Sequence, residues 1–239
     1  ASALSIIGGG NFTNTNPLEL DHGQSQLNLS GILANYIRTE SDSLGISVDN
    51  SSTVNEFSVG HVTPVSISPN QILNGSFKIY RGTEYSNLQL NNTGTLAANV
   101  TISGNGGTVE AQKSMTFSGS LQQVDQHDGF ELIIASGETM NYSGSEFDIG
   151  SHTFKLSGGG TFNNTNNITL DNSGSKLAIS DSTKISHLLV SASNTNGGLT
   201  ISSSVSSSTG NLVENLSLRD SFYVSSDLAW AVGNITADA

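Results

Sequence analysis

Apolar residues in this chain recur in alternating groups with single polar residues between them. Leu27-Asn28-Leu29, Leu88-Gln89-Leu90, Val100-Thr101-Ile102 and Phe154-Lys155-Leu156 are examples. Successive side chains of a strand point to opposite faces, so a period of two marks a strand with one face buried. The same spacing at Leu18-Leu20, Leu44-Ile46-Val48, Phe77-Ile79, Met115-Phe117 and Leu132-Ile134 predicts further strands, and so do Ile168-Leu170, Leu177-Ile179, Leu199-Ile201 and Leu216-Leu218. They fall roughly every 8–12 residues, a spacing typical of all-β architectures. Clusters of Gly, Asn, Asp and Ser, which favour turns, stand between them. Helical periodicity is almost absent. One window, Gly31 to Glu40 (GILANYIRTE), reads either as a short helix or as a strand with a bend.

The pattern repeats over a long distance. LSIIGGGNFTNTNPLELDHGQSQLNLS (4–30) returns as FKLSGGGTFNNTNNITLDNSGSKLAIS (154–180) without a gap. Phe12, Asn14, Leu20, Asp21 and Leu27 each recur 150 positions later. The similarity continues, with small insertions, to give copies at about 4–62 and 154–218, and a weaker copy lies at about 77–117. Three all-β architectures suit such spacing: a β-sandwich, a jelly roll and a β-solenoid. A solenoid accepts copies with insertions, because each coil touches only its neighbours, and the partial copy in the middle argues against two separate jelly-roll domains. The expectation is therefore one repetitive domain over 1–239, a parallel β-helix, with the sandwich or jelly roll as the alternative. Within it, Leu20 and Leu170 face inward while Glu19 and Thr169 face solvent.

Composition narrows the partners. Hydrophobic residues make up 35% of the chain and charged residues only 12%, so the chain lacks the high charge of a disordered sequence. Eight Lys and Arg against twenty Asp and Glu give a net charge of −12. Nucleic acids and anionic lipid surfaces need clustered cations, and here they are scattered singly. The chain has no cysteine, which removes disulfides and thiolate metal sites. No apolar run is long enough for a transmembrane helix, and the chain opens at Ala1 without the charged and hydrophobic regions of a signal peptide, which in an exported protein is already removed.

GGGTFNNTNNITLDNSGSKLAIS, followed later by GNITADA, resembles the strand-turn repeats of bacterial haemagglutinin and autotransporter passenger proteins. The resemblance covers most of the chain as a texture of repeats. It implies a secreted parallel β-helix used as an adhesin or surface fibre, and assigns no residue a role.

Candidate chemistry is sparse. Asp125-Gln126-His127-Asp128-Gly129-Phe130-Glu131 holds the densest group of ionisable side chains. Asp125, Asp128 and Glu131 are the donors a Ca²⁺ ion would use, but the alternate spacing and closing glutamate of an EF-hand loop are missing, so a polar turn is preferred and no metal or cofactor is expected. Asp21 and Asp171, each directly after a strand, read as turn residues. The runs Gly8–Gly10 and Gly158–Gly160 lack the Lys and Ser/Thr of a phosphate loop and read as corners. A polysaccharide lyase would place Arg or Lys among several acids, whereas Lys113 has only Glu110 near it. Phe12 and Phe162 repeat with the coil and are expected to stack in the core. Eleven Asn-x-Ser/Thr triplets, from Asn11 to Asn234, are glycosylation acceptors if the host supplies the machinery.

These readings lead to an extracellular structural or adhesive surface protein without enzymatic activity. The alternative is a polysaccharide-degrading or polysaccharide-binding β-helix of the lyase or tailspike kind. Self-association is expected through the apolar first segment, with Ala1, Leu4, Ile6 and Ile7 adding to an open edge of another subunit. Glycans or cell surfaces are the other expected partners. Asn234 to Ala239 reads as the opening of another coil.

Overall fold

The computed structural model describes residues 2–81, 86–91, 93–104, 107–123, 130–191, 194–201, 210–219, 222–224 and 232–237. They form a parallel β-solenoid of about 9 turns, without a helix. One sheet has 11 strands, stacked in chain order. Its first six are β1 (Ser2–Ile7), β4 (Ser25–Ser30), β6 (Gly45–Asn50), β8 (Val62–Ile67), β10 (Asn87–Leu90) and β12 (Thr108–Ala111). The other five are β15 (Phe130–Ile134), β18 (Thr153–Ser157), β21 (Lys176–Ile179), β23 (Asn194–Ile201) and β25 (Phe222–Val224).

The other sheet has 15 strands and lies on the remaining perimeter. Long strands cross its full width: β5 (Leu33–Thr39), β7 (Ser52–Val59), β9 (Ile72–Arg81), β11 (Thr95–Gly104) and β22 (Lys184–Val190). Elsewhere a rung is made of two short strands. These are β2 (Asn11–Phe12) with β3 (Leu18–Leu20), β13 (Met115–Phe117) with β14 (Leu121–Gln123), β16 (Thr139–Tyr142) with β17 (Phe147–Asp148), and β19 (Thr161–Asn164) with β20 (Ile168–Leu170). β24 (Val213–Leu218) and β26 (Val232–Ala237) close it.

Coil length varies while the register of apolar columns is kept. Leu27 pairs with Ile46, 19 residues on, whereas Val65 pairs with Leu90, 25 residues on. The corners absorb the difference, so each strand still presents alternate residues to the interior. Leu27, Val48, Val65, Leu88, Val109, Leu132 and Leu156 are fully buried. Aromatic side chains meet from coil to coil in the same core: Phe117 lies edge-to-face with Tyr142 at 5.4 Å, and Tyr142 stacks on Phe162 at 5.3 Å. Each such pair contributes about 0.5–1.5 kcal/mol beyond its area. Phe162 is fully buried and Phe12, its counterpart, is half-buried against the core.

The ambiguous window at 31–40 is a strand. In β5 the inward residues are Ala34, Ile37 and Thr39, so the alternation breaks at Asn35-Tyr36. The strand bends there to turn the corner of the wide sheet, and a three-residue apolar spacing imitates a helix. β9 bends in the same wall at Gly75, whose φ is +138°. A Cβ at Gly75 would stand 1.7 Å from the Val54 carbonyl oxygen, so only glycine fits.

Outside, amides and hydroxyls form rows between rungs. Asn28 donates to the Ser5 hydroxyl at 3.2 Å and accepts from Ser47 at 2.7 Å. Asn163 donates to Asn141 at 2.8 Å and accepts from Ser186 at 3.1 Å. One outward residue departs from expectation. Thr169 is buried, because Glu146 of the preceding coil folds over it and accepts its hydroxyl.

Candidate functional site

The first and last described strands of the solenoid differ from its flanks. Five large apolar side chains are exposed among the described residues, and three of them, Leu4, Ile7 and Ile235, stand on the first or last strand of the stack. β1 pairs with β4 alone among the described strands. Its alternation turns Leu4 and Ile6 toward the interior, in line with Leu27 and Leu29. Leu4 is nevertheless 46% exposed, while Phe154, its counterpart in the second copy, is 0% exposed.

The difference is the preceding coil. In the second copy β15 lies on β18, with Phe130 opposite Phe154 and Leu132 opposite Leu156. No described strand occupies that place ahead of β1. The glycine corner shows the same contrast. A Cβ at Gly160 would meet Ile134 Cγ2 at 2.4 Å and the Ala135 carbonyl oxygen at 2.6 Å, whereas a Cβ at Gly10 would meet nothing within 4 Å. The far end opens in a similar way along one column: Leu188 is 0%, Leu216 3% and Ile235 62% exposed.

Of the acidic cluster, Asp125 and Asp128 lie outside the described residues, as does Ala1. Glu131 is on the outer face of β15 and accepts the Ser157 hydroxyl at 2.7 Å, the role of a ladder partner. Among the described residues no three His, Cys, Asp or Glu side chains come together as a metal site. Among the described residues no helix is long and apolar enough to cross a membrane. Asp21 and Asp171 are exposed at equivalent turns, closed by backbone bonds from Ser25 to His22 at 2.7 Å and from Ser175 to Asn172 at 3.0 Å. The next residue's side chain helps at each turn, His22 accepting from the Gln24 N–H and Asn172 from that of Gly174, and Asp171 accepts the Ser175 hydroxyl at 3.5 Å.

One irregularity has no counterpart in the sequence pattern. β14 pairs with β11, and β17 with β20, but β14 and β17 are not paired with each other. A groove of about 450 Å³ lies at this break. Tyr142, fully buried, spans it from beneath: its hydroxyl accepts the Leu121 N–H at 3.2 Å and donates to the Ser145 carbonyl at 2.9 Å. Burial pushes the Tyr142 phenol above its ordinary pKa, and its bonds to Leu121 and Ser145 oppose that shift only in part. The sequence hint was a lone aromatic at the inward position of a strand, which reads equally well as core.

No protein-family model matches the chain, and no curated protein or solved structure matches it.

Proposed function

We propose that this protein is a structural or adhesive element of an extracellular surface, a solenoid subunit that stacks end to end through its first coil. The observation that carries the reading is the pair Leu4 and Phe154: equivalent positions in the repeat, one exposed and one covered by a neighbouring coil. Burying an apolar side chain gains about 1.5–3 kcal/mol, and an uncovered parallel strand edge templates another strand. The last coil of a second copy is the proposed occupant, continuing both sheets across the junction. A head-to-tail contact of this kind does not close and so builds a filament. The texture shared with haemagglutinin and autotransporter passenger repeats supports the same reading, and so does a flank of amides and hydroxyls able to make many weak contacts.

The test is light scattering and electron microscopy of the intact chain beside two variants. Deletion of residues 1–7 is expected to abolish polymerisation and leave the β-rich circular dichroism spectrum in place. Gly10→Val adds bulk where the free chain has open space, and is expected to leave the unfolding midpoint unchanged while blocking association. Monomers for the intact chain at high concentration overturn the proposal, and so does a Gly10→Val variant that polymerises normally.

A further inference from the structure

We propose that the groove between β14 and β17 binds a neutral polyhydroxylated ligand, a short stretch of oligosaccharide. This site is separate from the solenoid ends and does not depend on stacking.

Its volume, about 450 Å³, lies within the range of small-ligand sites, about 300–1,000 Å³. Leu121 and Ile149 form an apolar floor. Ser120 and Gln122 stand on one lip, and Ser145, Glu146 and His152 on the other. The lips are held before any ligand arrives. Tyr142 ties the Leu121 N–H of one lip to the Ser145 carbonyl of the other. Ser120 donates to Asn99 at 2.9 Å, and Thr169 donates to one oxygen of Glu146. A preorganised site loses less conformational entropy on binding.

The lining selects the ligand class by elimination. Among the described residues no Lys or Arg lines the groove and Glu146 is the one carboxylate, in a chain of net charge −12, which disfavours phosphate, sulfate and uronate. Among the described residues the His and carboxylate lining falls short of a metal-binding group. A wholly apolar ligand would strand the amide and hydroxyl groups away from water. What suits both floor and lips is a molecule with C–H faces and several groups that donate and accept alike. Sugar hydroxyls do this: they donate to Glu146, accept from the Gln122 amide and exchange either way with Ser145.

The experiment is titration calorimetry on the intact chain with neutral di- to tetrasaccharides built on glucose, galactose, mannose and N-acetylglucosamine, with an oligouronate as the charged control. At least one neutral sugar is expected to bind, and more tightly than the uronate. The double variant Gln122→Ala with Glu146→Ala is expected to lose about tenfold or more in affinity. Thermal unfolding shows whether that variant keeps its fold, and Gln122→Ala alone carries the test if losing the Thr169 bond lowers the midpoint. No binding of any neutral sugar at about 10 mM, equal binding by the variant, or a preference for the uronate overturns the proposal.

Discussion

Asn14 and Asn164, 150 residues apart, make matching hydrogen bonds, with one more at Asn164. Each donates to the backbone carbonyl two residues on, Asn16 at 2.8 Å and Asn166 at 2.7 Å. Each also reaches the next coil at the bend of its long strand. Asn14 donates to the Tyr36 carbonyl at 2.6 Å and accepts its N–H at 3.3 Å. Asn164 donates to the His187 carbonyl at 2.7 Å and accepts the N–H groups of Ser186 and His187 at 3.1 and 3.2 Å. A side-chain amide offers a donor and an acceptor in one plane, as a peptide does, so it replaces the rung where the short strands leave a gap.

Replacing Asn164 by alanine is therefore expected to cost about 2–4 kcal/mol, because buried backbone groups lose their partners. Asn14→Ala is expected to cost less, since Asn14 is half-buried and sits in the first coil. Urea unfolding of the two variants measures the difference. Equal, small losses would show that water replaces the amide at both corners.

The inward column makes a second comparison. Leu170→Ala leaves a cavity between neighbouring rungs and is expected to cost about 2–5 kcal/mol. Leu20→Ala should fall at the lower end, because β3 pairs with β5 alone. Glu19→Ala, on the exposed face, should stay within about ±0.5 kcal/mol, while Thr169→Ala should cost more than that because Glu146 covers it. Denaturant midpoints check all four, and a tolerant Thr169 would mean that its hydroxyl bond contributes nothing.

Tyr142 gives a pH dependence with a definite sign. Its folded phenol has a raised pKa, so the unfolded chain loses the proton first. Stability from this group is complete below the ordinary phenol value, about 10, and is lost as pH rises through the higher folded value. Tyr142→Phe is expected to destabilise by about 1–2 kcal/mol at neutral pH through its two hydrogen bonds, and to flatten the alkaline loss. Unfolding midpoints across the alkaline range, compared between the two chains, test this. An unchanged alkaline slope in the variant would assign the loss to other tyrosines.

Much of the architecture was legible because alternation and burial are the same fact seen twice. Leu27-Leu29, Leu132-Ile134 and Phe154-Leu156 are inward pairs of real strands. Which sheet a strand joins was not legible. Leu88-Leu90 resembles Ile168-Leu170 in sequence, yet the first pair lies in the 11-stranded sheet and the second in the 15-stranded one. A strand-turn-strand unit looks alike on either wall, and only the sum of coil lengths before it decides its place. The bend at Asn35-Tyr36 was ambiguous because a corner disrupts the period of two. The break between β14 and β17 left no trace, since pairing across coils depends on stacking that local pattern does not encode.

That break has a mechanical consequence. The strands run across the solenoid axis and the ladder bonds run along it, so tension applied end to end loads the rungs in series. In a series the weakest junction yields first. At the level of β14 and β17 the coils stay joined through β12 with β15 and β13 with β16, while the remaining wall carries no ladder among the described strands. Under pulling, the molecule is expected to part there before its ends unravel, separating into two stacks with the bond from the Leu121 N–H to the Tyr142 hydroxyl among the last links between them.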